Sequence, residues 1–441
     1  MNTPIYDFLK NYSSSDILRC HMPGHKGRNI SDGNELLTTF DITEINGADS
    51  LFEARGIISE SEKNIAELYG TYASFYSAGG STLCIQAMLS AMKYENRKII
   101  AVRNVHRAFL NAVALLDLDV IWIMPEYTDG ILSGKIRMND VEKALSENPD
   151  SCLYVTSPDY TGRIADIKRL SEICHRYNAP LLVDNAHGAH LNFFPESIHP
   201  MALGADICCD SAHKMLPALT GSAVLHTSRE KYAHVLRKCM GIFGSTSPSY
   251  LIMASLDLCV RYISENIRQD IENNLRFLRN FRERFSGRLV FSSGEPFHIS
   301  IKADESGLDG NELADILRKN GVECEYSDCG TLILLMSPVN IKDDYEYLAQ
   351  ALEKSLNIAE RHPRESCYFL PELPQKAMSI RQAVFSPCED IPVEYSAGRI
   401  CGAVSVPCPP AIPIVASGEI IDENSINIFR NYGIPFVNVV K

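Results

Sequence analysis

Short apolar runs alternate with amphipathic helical stretches from about Ser59 to Pro217. Runs such as "RKIIAVRN", "DVIWIMPE", "SCLYVTSP" and "PLLVDNA" have the length and composition of buried strands, whereas "STLCIQAMLSAMKYE" and "ADIKRLSEICHRYN" carry apolar residues at helical spacing. Strands that are separated by helices of about ten to fifteen residues indicate βαβ units. The sequence therefore predicts an α/β fold with a mostly parallel sheet that is covered on both faces.

The pattern changes on both sides of this core. Pro4 to about Tyr12 reads as a short amphipathic helix that cannot fold alone, so it must pack on another part of the chain. A long helical stretch, at about Tyr250 to Phe285, would connect the core to a region where strand and helix patterns alternate again. Prolines become frequent after about His362. We expect four segments: an N-terminal arm (1–40), a large α/β domain (41–260), a small α+β domain (261–360) and a turn-rich C-terminal subdomain (361–441).

Composition narrows the class of protein. Among 441 residues, 42 Lys and Arg stand against 55 Asp and Glu, which gives a formal net charge of −13 and argues against nucleic acid as a partner. The 14 cysteines are scattered through apolar stretches without the spacing of metal ligands, so we expect reduced, mostly buried thiols and no metal site. Neither a secretion signal nor a membrane span is indicated, which favours the cytoplasm.

Two strand ends carry residues with reactive chemistry. Asp184 ends the run "LLVD", and Lys214 follows the next strand in "DSAHK". Such strand ends face the ligand crevice of open α/β sheets. A carboxylate that keeps a pyridine nitrogen protonated, together with a lysine amine in apolar company, is the arrangement of a pyridoxal 5'-phosphate (PLP) site. The alternative is a surface lysine that happens to follow a strand.

A second motif has the features of a phosphate-binding loop. In "SAGGSTLCIQAML", Gly79 and Gly80 precede Ser81 and Thr82 at the start of a helix. Free N–H groups at a helix N-terminus bind anions, and glycine lets the backbone approach closely. The alternative is an ordinary glycine turn with a Ser or Thr cap.

Two further motifs could contact the same ligand. His106 stands at a helix start in "RNVHRAF", where an imidazole could stack on a cofactor ring or simply cap the helix. Thr156 and Ser157 end a strand in "TSPDYTG" and could bond the cofactor hydroxyl or form a plain turn.

With these motifs in order, the chain resembles the fold type I PLP-dependent decarboxylases of ornithine, lysine and arginine, whose large domain is aspartate aminotransferase-like. The resemblance covers nearly the whole chain. It rests on these stretches: "HMPGHKG", "DITEINGAD", "RNVHRAF", "TSPDYTG", "VDNAHGAH", "DSAHKMLPALTGSAVLH", "FGSTSPSY" and "GRICGAVSVPCPPAIPIVASGE".

The resemblance assigns roles to individual residues. Lys214 would be the Schiff base lysine, Asp184 the partner of the pyridine nitrogen and His106 the ring-stacking histidine. His187 would lie near the cofactor hydroxyl, and Thr246 would reach the phosphate of a neighbouring subunit, which implies a homodimer with composite active sites. The remaining cofactor contacts would be Gly80, Ser81, Thr82, Thr156, Ser157, Ser211 and His213.

The implied substrate is a basic amino acid, which loses carbon dioxide to give an amine. His213 or Lys214 would then protonate the α carbon. Four residues are candidates for substrate binding, three of them as carboxylates for the distal cation: His25, Glu44, Glu325 and Asp328. The sequence does not choose among the three amino acids, nor between polyamine biosynthesis and acid resistance.

The chain departs from the family pattern in places. "SAGGST" replaces a more usual Asn-Gly-Thr phosphate loop, and "CPPAIP" replaces a stretch with Tyr and Gly. We also expect the short form of the family, without the N-terminal regulatory domain of the long members. An aminotransferase or carbon–sulfur lyase is the runner-up, with Arg381 or Arg399 as a carboxylate-binding arginine. A homologue that binds PLP without turnover is the third possibility.

Overall fold

The predicted alternation of helices and strands is present in a computed structural model of the chain, which describes residues 1–15, 17–23, 25–28, 35–363, 366–404 and 411–441. The helices of this described part are α1 (Pro4–Ser13), α2 (Glu35–Phe40), α3 (Ile57–Tyr69), α4 (Gly80–Tyr94), α5 (Arg107–Leu116), α6 (Met138–Glu147), α7 (Ile167–Arg176), α8 (Ala212–Met215), α9 (Glu230–Phe243), α10 (Tyr250–Glu265), α11 (Ile267–Phe285), α12 (Gly310–Lys319), α13 (Lys342–Ile358), α14 (Ile380–Val384) and α15 (Glu423–Asn431). The strands are β1 (Ala73–Ser77), β2 (Lys98–Val102), β3 (Val120–Ile123), β4 (Glu126–Asp129), β5 (Ser133–Lys135), β6 (Ser151–Thr156), β7 (Leu181–Asp184), β8 (Ile207–Asp210), β9 (Ala223–Thr227), β10 (Val290–Phe291), β11 (His298–Lys302), β12 (Tyr326–Ser327), β13 (Thr331–Leu335), β14 (Cys388–Pro392) and β15 (Phe436–Val440).

The first of two packing units comprises Met1–Glu95 and Pro180–Ile271. Its strands are ordered β1-β9-β8-β7, with β7 parallel to β8 and β9 antiparallel to both of its neighbours. Every residue of β7 and β8 is buried, as their continuous apolar runs require, and α4 packs on β8 and β9. Because β7 and β8 run in the same direction, their carboxyl ends lie at the same edge of the sheet.

The N-terminal helix α1 is docked within this unit. The backbone N–H groups of Ile5 and Tyr6 both donate to Oδ2 of Asp257 on α10, at 3.0 Å each. Ser61 of α3 donates its hydroxyl to the other carboxylate oxygen of Asp257. Burial raises the pKa of Asp257 to about 6, although these hydrogen bonds oppose the shift. A single buried carboxylate therefore joins α1, α3 and α10.

The second unit comprises Asn96–Ala179 and Glu272–Lys441. Its parallel strands are ordered β6-β2-β3, and an antiparallel sheet has the order β10-β11-β13-β12. Helix α12 packs on β13 and on α13, which gives the α+β arrangement expected for this part of the chain. The boundaries of the four predicted segments stay a prediction.

Some elements of the second unit were not expected from the sequence. Strands β4 and β5 form an antiparallel pair between β3 and α6. Strands β14 and β15 form another pair within the proline-rich C-terminal region. The sequences of β4, β5 and β14, "EYTD", "SGK" and "CEDIP", lack the apolar alternation that marks a strand.

The helical stretch that we expected to be continuous is two helices. Helix α10 ends at Glu265 and α11 begins at Ile267, with Asn266 between them in a non-helical conformation. The Asn266 N–H still donates to the Tyr262 carbonyl. Asparagine favours helix ends because its side chain competes for backbone hydrogen bonds.

The expectation of reduced cysteines throughout is wrong at one pair. Cys329 and Cys367 form a disulfide, with Cα atoms 6.5 Å apart. The two residues are separated by 38 positions, and the fold brings them together where the loop after β12 meets the segment before Tyr368, so spacing alone gave no sign of it. The free cysteines of the described chain are mostly buried, as expected. No helix of the described chain has the length and apolar character needed to cross a membrane.

A buried ion pair ties the C-terminal region to the end of β2 within the second unit. The guanidinium of Arg103 donates to both carboxylate oxygens of Glu419, at 2.9 and 2.7 Å, and lies over the ring of Trp122. Four residues after Arg103, the N–H of Arg107 donates to the carbonyl of Ala411 at 2.8 Å. These two contacts hold both sides of the loop that carries His106. The Cys-Pro-Pro of "CPPAIP", residues 408–410, lies outside the described residues.

Candidate active site

Lys214 lies directly after a buried strand and contacts a histidine. Strand β8 ends at Asp210, Ser211 stands at the N-cap position, and Lys214 belongs to the single helical turn α8. Its Nζ atom lies 2.9 Å from Nε2 of His187. A lysine ammonium can only donate, so His187 accepts on Nε2 and carries its own proton on Nδ1. The lysine is half-buried.

Asp184 is the last residue of the neighbouring strand. Its side chain is buried, with 2% of the residue exposed. One carboxylate oxygen accepts the Ala186 N–H at 3.2 Å and lies 3.7 Å from Sγ of Cys209, the residue paired with Asp184 in strand β8. Asp184 thus ends one strand and Lys214 follows the adjacent parallel strand, and His187, three residues after Asp184, contacts Lys214. The structure brings the acid and the amine to the same edge of the sheet, as the sequence predicted.

The N-terminus of α4 is open to an anion. Gly79 stands at the N-cap position without any side-chain cap, and the first turn contains no acidic residue. Gly80 has a φ of +67°, which favours glycine, and a β-carbon there would meet nothing within 4 Å. The Gly80 N–H donates to Gly221, so the N–H groups of Ser81 and Thr82 are the ones that can hold an anion.

The two predicted motifs meet through their hydroxyl groups. Ser211 donates to Oγ of Ser81 at 3.1 Å, which links the turn before Lys214 to the first turn of α4. The first unit therefore combines an anion-binding helix start, an amine, a histidine and a buried carboxylate. This set fits a ligand that has a phosphate at one end and an amine-reactive ring whose nitrogen benefits from a negative partner.

His213 is oriented by the backbone. Its Nδ1 lies 2.9 Å from the carbonyl oxygen of Ser222, which can only accept. The neutral ring therefore carries its proton on Nδ1, and Nε2 is left as a base.

The loop that carries Thr246 lies near the same helix start. A cavity of about 330 Å³ is lined by Gly79 and Thr82 from the α4 region and by Ser245 and Ser247 from the loop. Thr246 itself is exposed. Its contact with the phosphate of a neighbouring subunit stays a prediction.

Three predicted cofactor contacts belong to the second unit. His106 caps α5, since its Nδ1 accepts the Ala108 N–H at 3.1 Å. Ser157 Oγ accepts the Ala165 N–H at 3.0 Å. Thr156 Oγ1 is buried and has no hydrogen-bond partner among the described residues. Their roles toward a ligand stay predictions.

Sequence reasoning missed a large cavity of the second unit. It has a volume of about 900 Å³, and its lining includes Asn104, Glu126, Arg163 and Thr156. Asn104 Oδ1, like Thr156 Oγ1, is buried without a hydrogen-bond partner in the described chain. The cavity depends on the β4–β5 pair, whose polar sequence gave no signal.

The predicted carboxylates for a substrate cation differ in availability. Asp328 is buried and accepts hydrogen bonds from Tyr326, Tyr368, Gly330 and Thr331, and burial raises its pKa. This network occupies both oxygens, which weighs against a role in substrate binding.

The other candidates are more accessible. Glu325 is exposed and accepts the Tyr160 hydroxyl at 2.8 Å, and Glu44 is exposed. His25 contacts Asp41 at 3.2 Å through Nε2. Their roles in substrate binding stay predictions.

The arginines of the aminotransferase alternative are engaged elsewhere. Arg381 donates to the carbonyls of Ala114 and Leu115, and Arg399 donates to Glu389 and to the Val440 carbonyl. Neither guanidinium is oriented by the described chain for binding a substrate carboxylate.

Comparison with known proteins gives consistent matches. The family model "Orn/Lys/Arg decarboxylase, major domain" matches residues 3–303. Arginine decarboxylase of Bacillus subtilis (strain 168) is 32% identical over 467 aligned residues, covering 98% of this chain and 94% of the relative.

Two solved structures show the same fold. Lysine decarboxylase LdcF of Francisella novicida superposes with a TM-score of 0.81 at 17% identity, covering 100% of this chain and 81% of the other. A structure of SPT with PLP has a TM-score of 0.55 at 14% identity, covering 67% of this chain and 75% of the other. At these identities the likeness is one of fold, and it confirms the fold type I α/β architecture.

Proposed function

Because the chain belongs to the Orn/Lys/Arg decarboxylase family, we propose that it removes the α-carboxylate of a basic L-amino acid with PLP as its cofactor. The observation that carries the proposal is the contact of Lys214 with His187 beside Asp184, at the sheet edge joined to the start of α4 by Ser211 and Ser81. When bound, PLP supplies a ring that accepts the electron pair left on the α carbon as carbon dioxide departs.

Each residue of this edge has a task that follows from its chemistry. The N–H groups of Ser81 and Thr82, with their hydroxyls, would hold the phosphate at the positive end of α4. The buried Asp184 carboxylate would keep a proton on the ring nitrogen. Lys214 would hold the cofactor, because its amine lies at the sheet edge that also carries Asp184 and contacts His187 there.

Proton return to the α carbon has two candidates. Lys214 is one, because its amine is released when substrate binds. His213 is the other, because the Ser222 carbonyl fixes the proton on Nδ1 and leaves Nε2 to carry and release a second one.

The substrate is an amino acid with a distal cation. We propose L-arginine as the first to test, since the Bacillus subtilis relative at 32% identity is an arginine decarboxylase. A homodimer with composite sites and a cytoplasmic location belong to the same proposal and rest on the sequence, which leaves the physiological role open between polyamine biosynthesis and acid resistance.

The deciding experiment uses the purified chain loaded with PLP. Arginine, lysine and ornithine are supplied separately, and carbon dioxide and the corresponding amine are followed by mass spectrometry. We expect amine from one of the three and none from Lys214→Ala. Absence of amine from all three, or a keto acid in the presence of a keto acceptor, would overturn the proposal.

A further inference from the structure

A second buried carboxylate lies next to the site and has no task in the proposed reaction. Asp210, the last residue of β8, is 1% exposed. Its oxygens lie 3.0 and 3.2 Å from Nε2 of His199 and 2.7 Å from Nδ2 of Asn185. Cys208 Sγ and His226 Nε2 are also near, at 3.7 and 3.3 Å.

Three of these side chains, His199, Cys208 and Asp210, are close enough together to ligate a metal ion. The hydrogen bonding of His199 speaks against that role. The Met201 N–H donates to Nδ1 of His199, so Nδ1 is bare and the neutral ring carries its proton on Nε2, where it donates to Asp210. A metal would need that nitrogen bare instead. The cluster is therefore a carboxylate that collects hydrogen-bond donors.

The Asp210 carboxylate carries a negative charge at the centre of the cluster. Burial alone would raise the pKa of Asp210, but His199 and His226 more than offset it and hold the pKa well below its usual value. Burial lowers the pKa of His226. Asp210 is thus ionised, and burial disfavours the charged form of His226.

Asn185 connects this carboxylate to the active site. It follows Asp184 directly, and its backbone N–H donates to Cys209 while its carbonyl accepts the Gly188 N–H at 2.8 Å. These bonds close the turn that carries Asp184 at one end and His187 near the other. The side-chain amide of Asn185 donates to Asp210, which fixes the turn to the end of strand β8.

The oxygen atom of the Asn185 side-chain amide lies in a crowded, buried place. Oδ1 is buried without a hydrogen-bond partner in the described chain, and a β-carbon at Gly188 would collide with it. An amide left half-satisfied in a buried place costs free energy. The bond of the Nδ2 group to Asp210 offsets part of this cost and holds the turn in one geometry.

Tyr69 provides a second connection between the cluster and this segment. Its ring stacks on His226 at 4.5 Å between centroids and meets His199 edge-on at 5.2 Å. Its hydroxyl donates to the Ala189 carbonyl at 2.7 Å, two residues after His187. The segment from Asp184 to Ala189 is thus held at both ends by groups that surround Asp210.

We propose that Asp210 is a positioning residue, which acts through Asn185 to fix the turn that presents Asp184 and His187 to PLP. The inference rests on the proposed function. It predicts that the identity of the Asn185–Asp210 pair affects cofactor binding and turnover without either residue touching the cofactor.

The test exchanges the two residues of the hydrogen bond between Asn185 and Asp210. Asp210→Asn removes the acceptor charge, Asn185→Asp sets two carboxylates against each other, and the double variant restores one amide and one carboxylate in reversed order. Cys239→Ala is the matched control, because Cys239 is a buried cysteine on α9 of the same unit and lies outside the Asp210 cluster. The PLP dissociation constant is measured by absorbance titration of the cofactor-free protein, and thermal unfolding of that form is recorded in parallel.

We expect each single variant to weaken PLP binding by about tenfold or more, as loss of an outer hydrogen bond does at metal and cofactor sites, and to lower kcat more than it raises KM. The double variant should recover most of the binding, and Cys239→Ala should bind PLP as the unchanged protein does. If Asp210→Asn does not fold, Asn185→Ala tests the same bond and should show the same loss.

Two results would overturn the inference alone. One is a set of single variants that lose thermal stability but bind PLP normally, which would make Asp210 merely structural. The other is a double variant that is no better than the worse single one. An unchanged protein that binds no PLP would overturn the inference and the proposed function together, whereas normal decarboxylation in all variants would leave the proposed function intact.

Discussion

Nζ of Lys214 lies 2.9 Å from Nε2 of His187, and these two residues come from turns after adjacent parallel strands. The pair shows how the sheet assembles a site: strand direction places both turns at one edge, and a hydrogen bond then sets the tautomer of the ring.

Replacing His187 tests the task of this ring. His187→Leu removes the acceptor for the lysine amine, so we expect kcat to fall by about tenfold to a hundredfold. PLP should still bind, because Lys214 and the start of α4 are unchanged. Steady-state kinetics and a PLP titration check this, with the exposed His234→Gln as control. A His187→Leu variant with unaltered kcat would contradict it.

Activity should require the amine of Lys214, and another positively charged side chain at this position should not replace it. Lys214→Arg keeps a cation but cannot bond covalently to the cofactor, so we expect activity to fall by more than about a thousandfold. Borohydride reduction followed by peptide mass spectrometry should locate PLP on Lys214 in the unchanged protein. Cofactor found on another lysine would refute this assignment.

The start of α4 should recognise phosphate specifically. Ser81→Ala and Thr82→Ala each remove a hydroxyl donor near the helix N-terminus, and we expect each to weaken PLP binding by about tenfold, or about 1.4 kcal/mol. Pyridoxal, which lacks the phosphate, is the control ligand. Its affinity should be the same in both variants and in the unchanged protein, and an equal loss for both ligands would place the phosphate elsewhere.

The docking of α1 should give stability a pH dependence. The pKa of Asp257 is about 6 in the folded chain and near its ordinary value of 3.8 when unfolded. Between about pH 4 and 6 the folded chain therefore holds a proton that the unfolded chain has lost, so this group makes stability fall as the pH rises through that window. The full effect is about 3 kcal/mol.

Urea unfolding of the cofactor-free chain at several pH values measures this contribution. Asp257→Asn cannot ionise and should remove the slope that Asp257 adds, while the exposed Asp315→Asn should leave that slope in place. A slope that is the same in Asp257→Asn and in the unchanged chain would show that another group is responsible.

The disulfide should stabilise the second unit. Cys329 and Cys367 close a loop of 38 positions, for which loop-closure entropy gives about 4 kcal/mol. We expect Cys367→Ser to lower the stability of the oxidised protein, and a reducing agent to lower the unchanged protein to the same level without affecting the variant. A reducing agent that destabilises both equally would contradict the assignment.

Much of the candidate site was predictable from the sequence because its reactive residues lie at the ends of strands. Asp184 and Lys214 follow apolar runs that can only be buried strands, and parallel strands bring their carboxyl ends together. The glycine pair at the start of α4 could be recognised in the sequence equally well. At the two strand ends and at the start of α4, the residues that form the sequence pattern are the same residues that form the site.

The rest depends on contacts between distant parts of the chain. Asp210 lies in the quoted motif "DSAHK", yet its partners His199 and Asn185 are 11 and 25 residues away and carry no local signal. The same holds for the Cys329–Cys367 bond. Asn104 of the large cavity was overlooked because the polar β4–β5 pair resembles a loop.

The bonds of Arg103 to Glu419 and of Arg107 to Ala411 also set an order of events during synthesis. The loop between Arg103 and Arg107 carries His106 and is synthesised early. The residues that anchor it, Ala411 and Glu419, are synthesised about three hundred residues later. Until then the guanidinium of Arg103 cannot form its ion pair with Glu419. This part of the nascent polypeptide can reach its final form only once translation has passed Glu419.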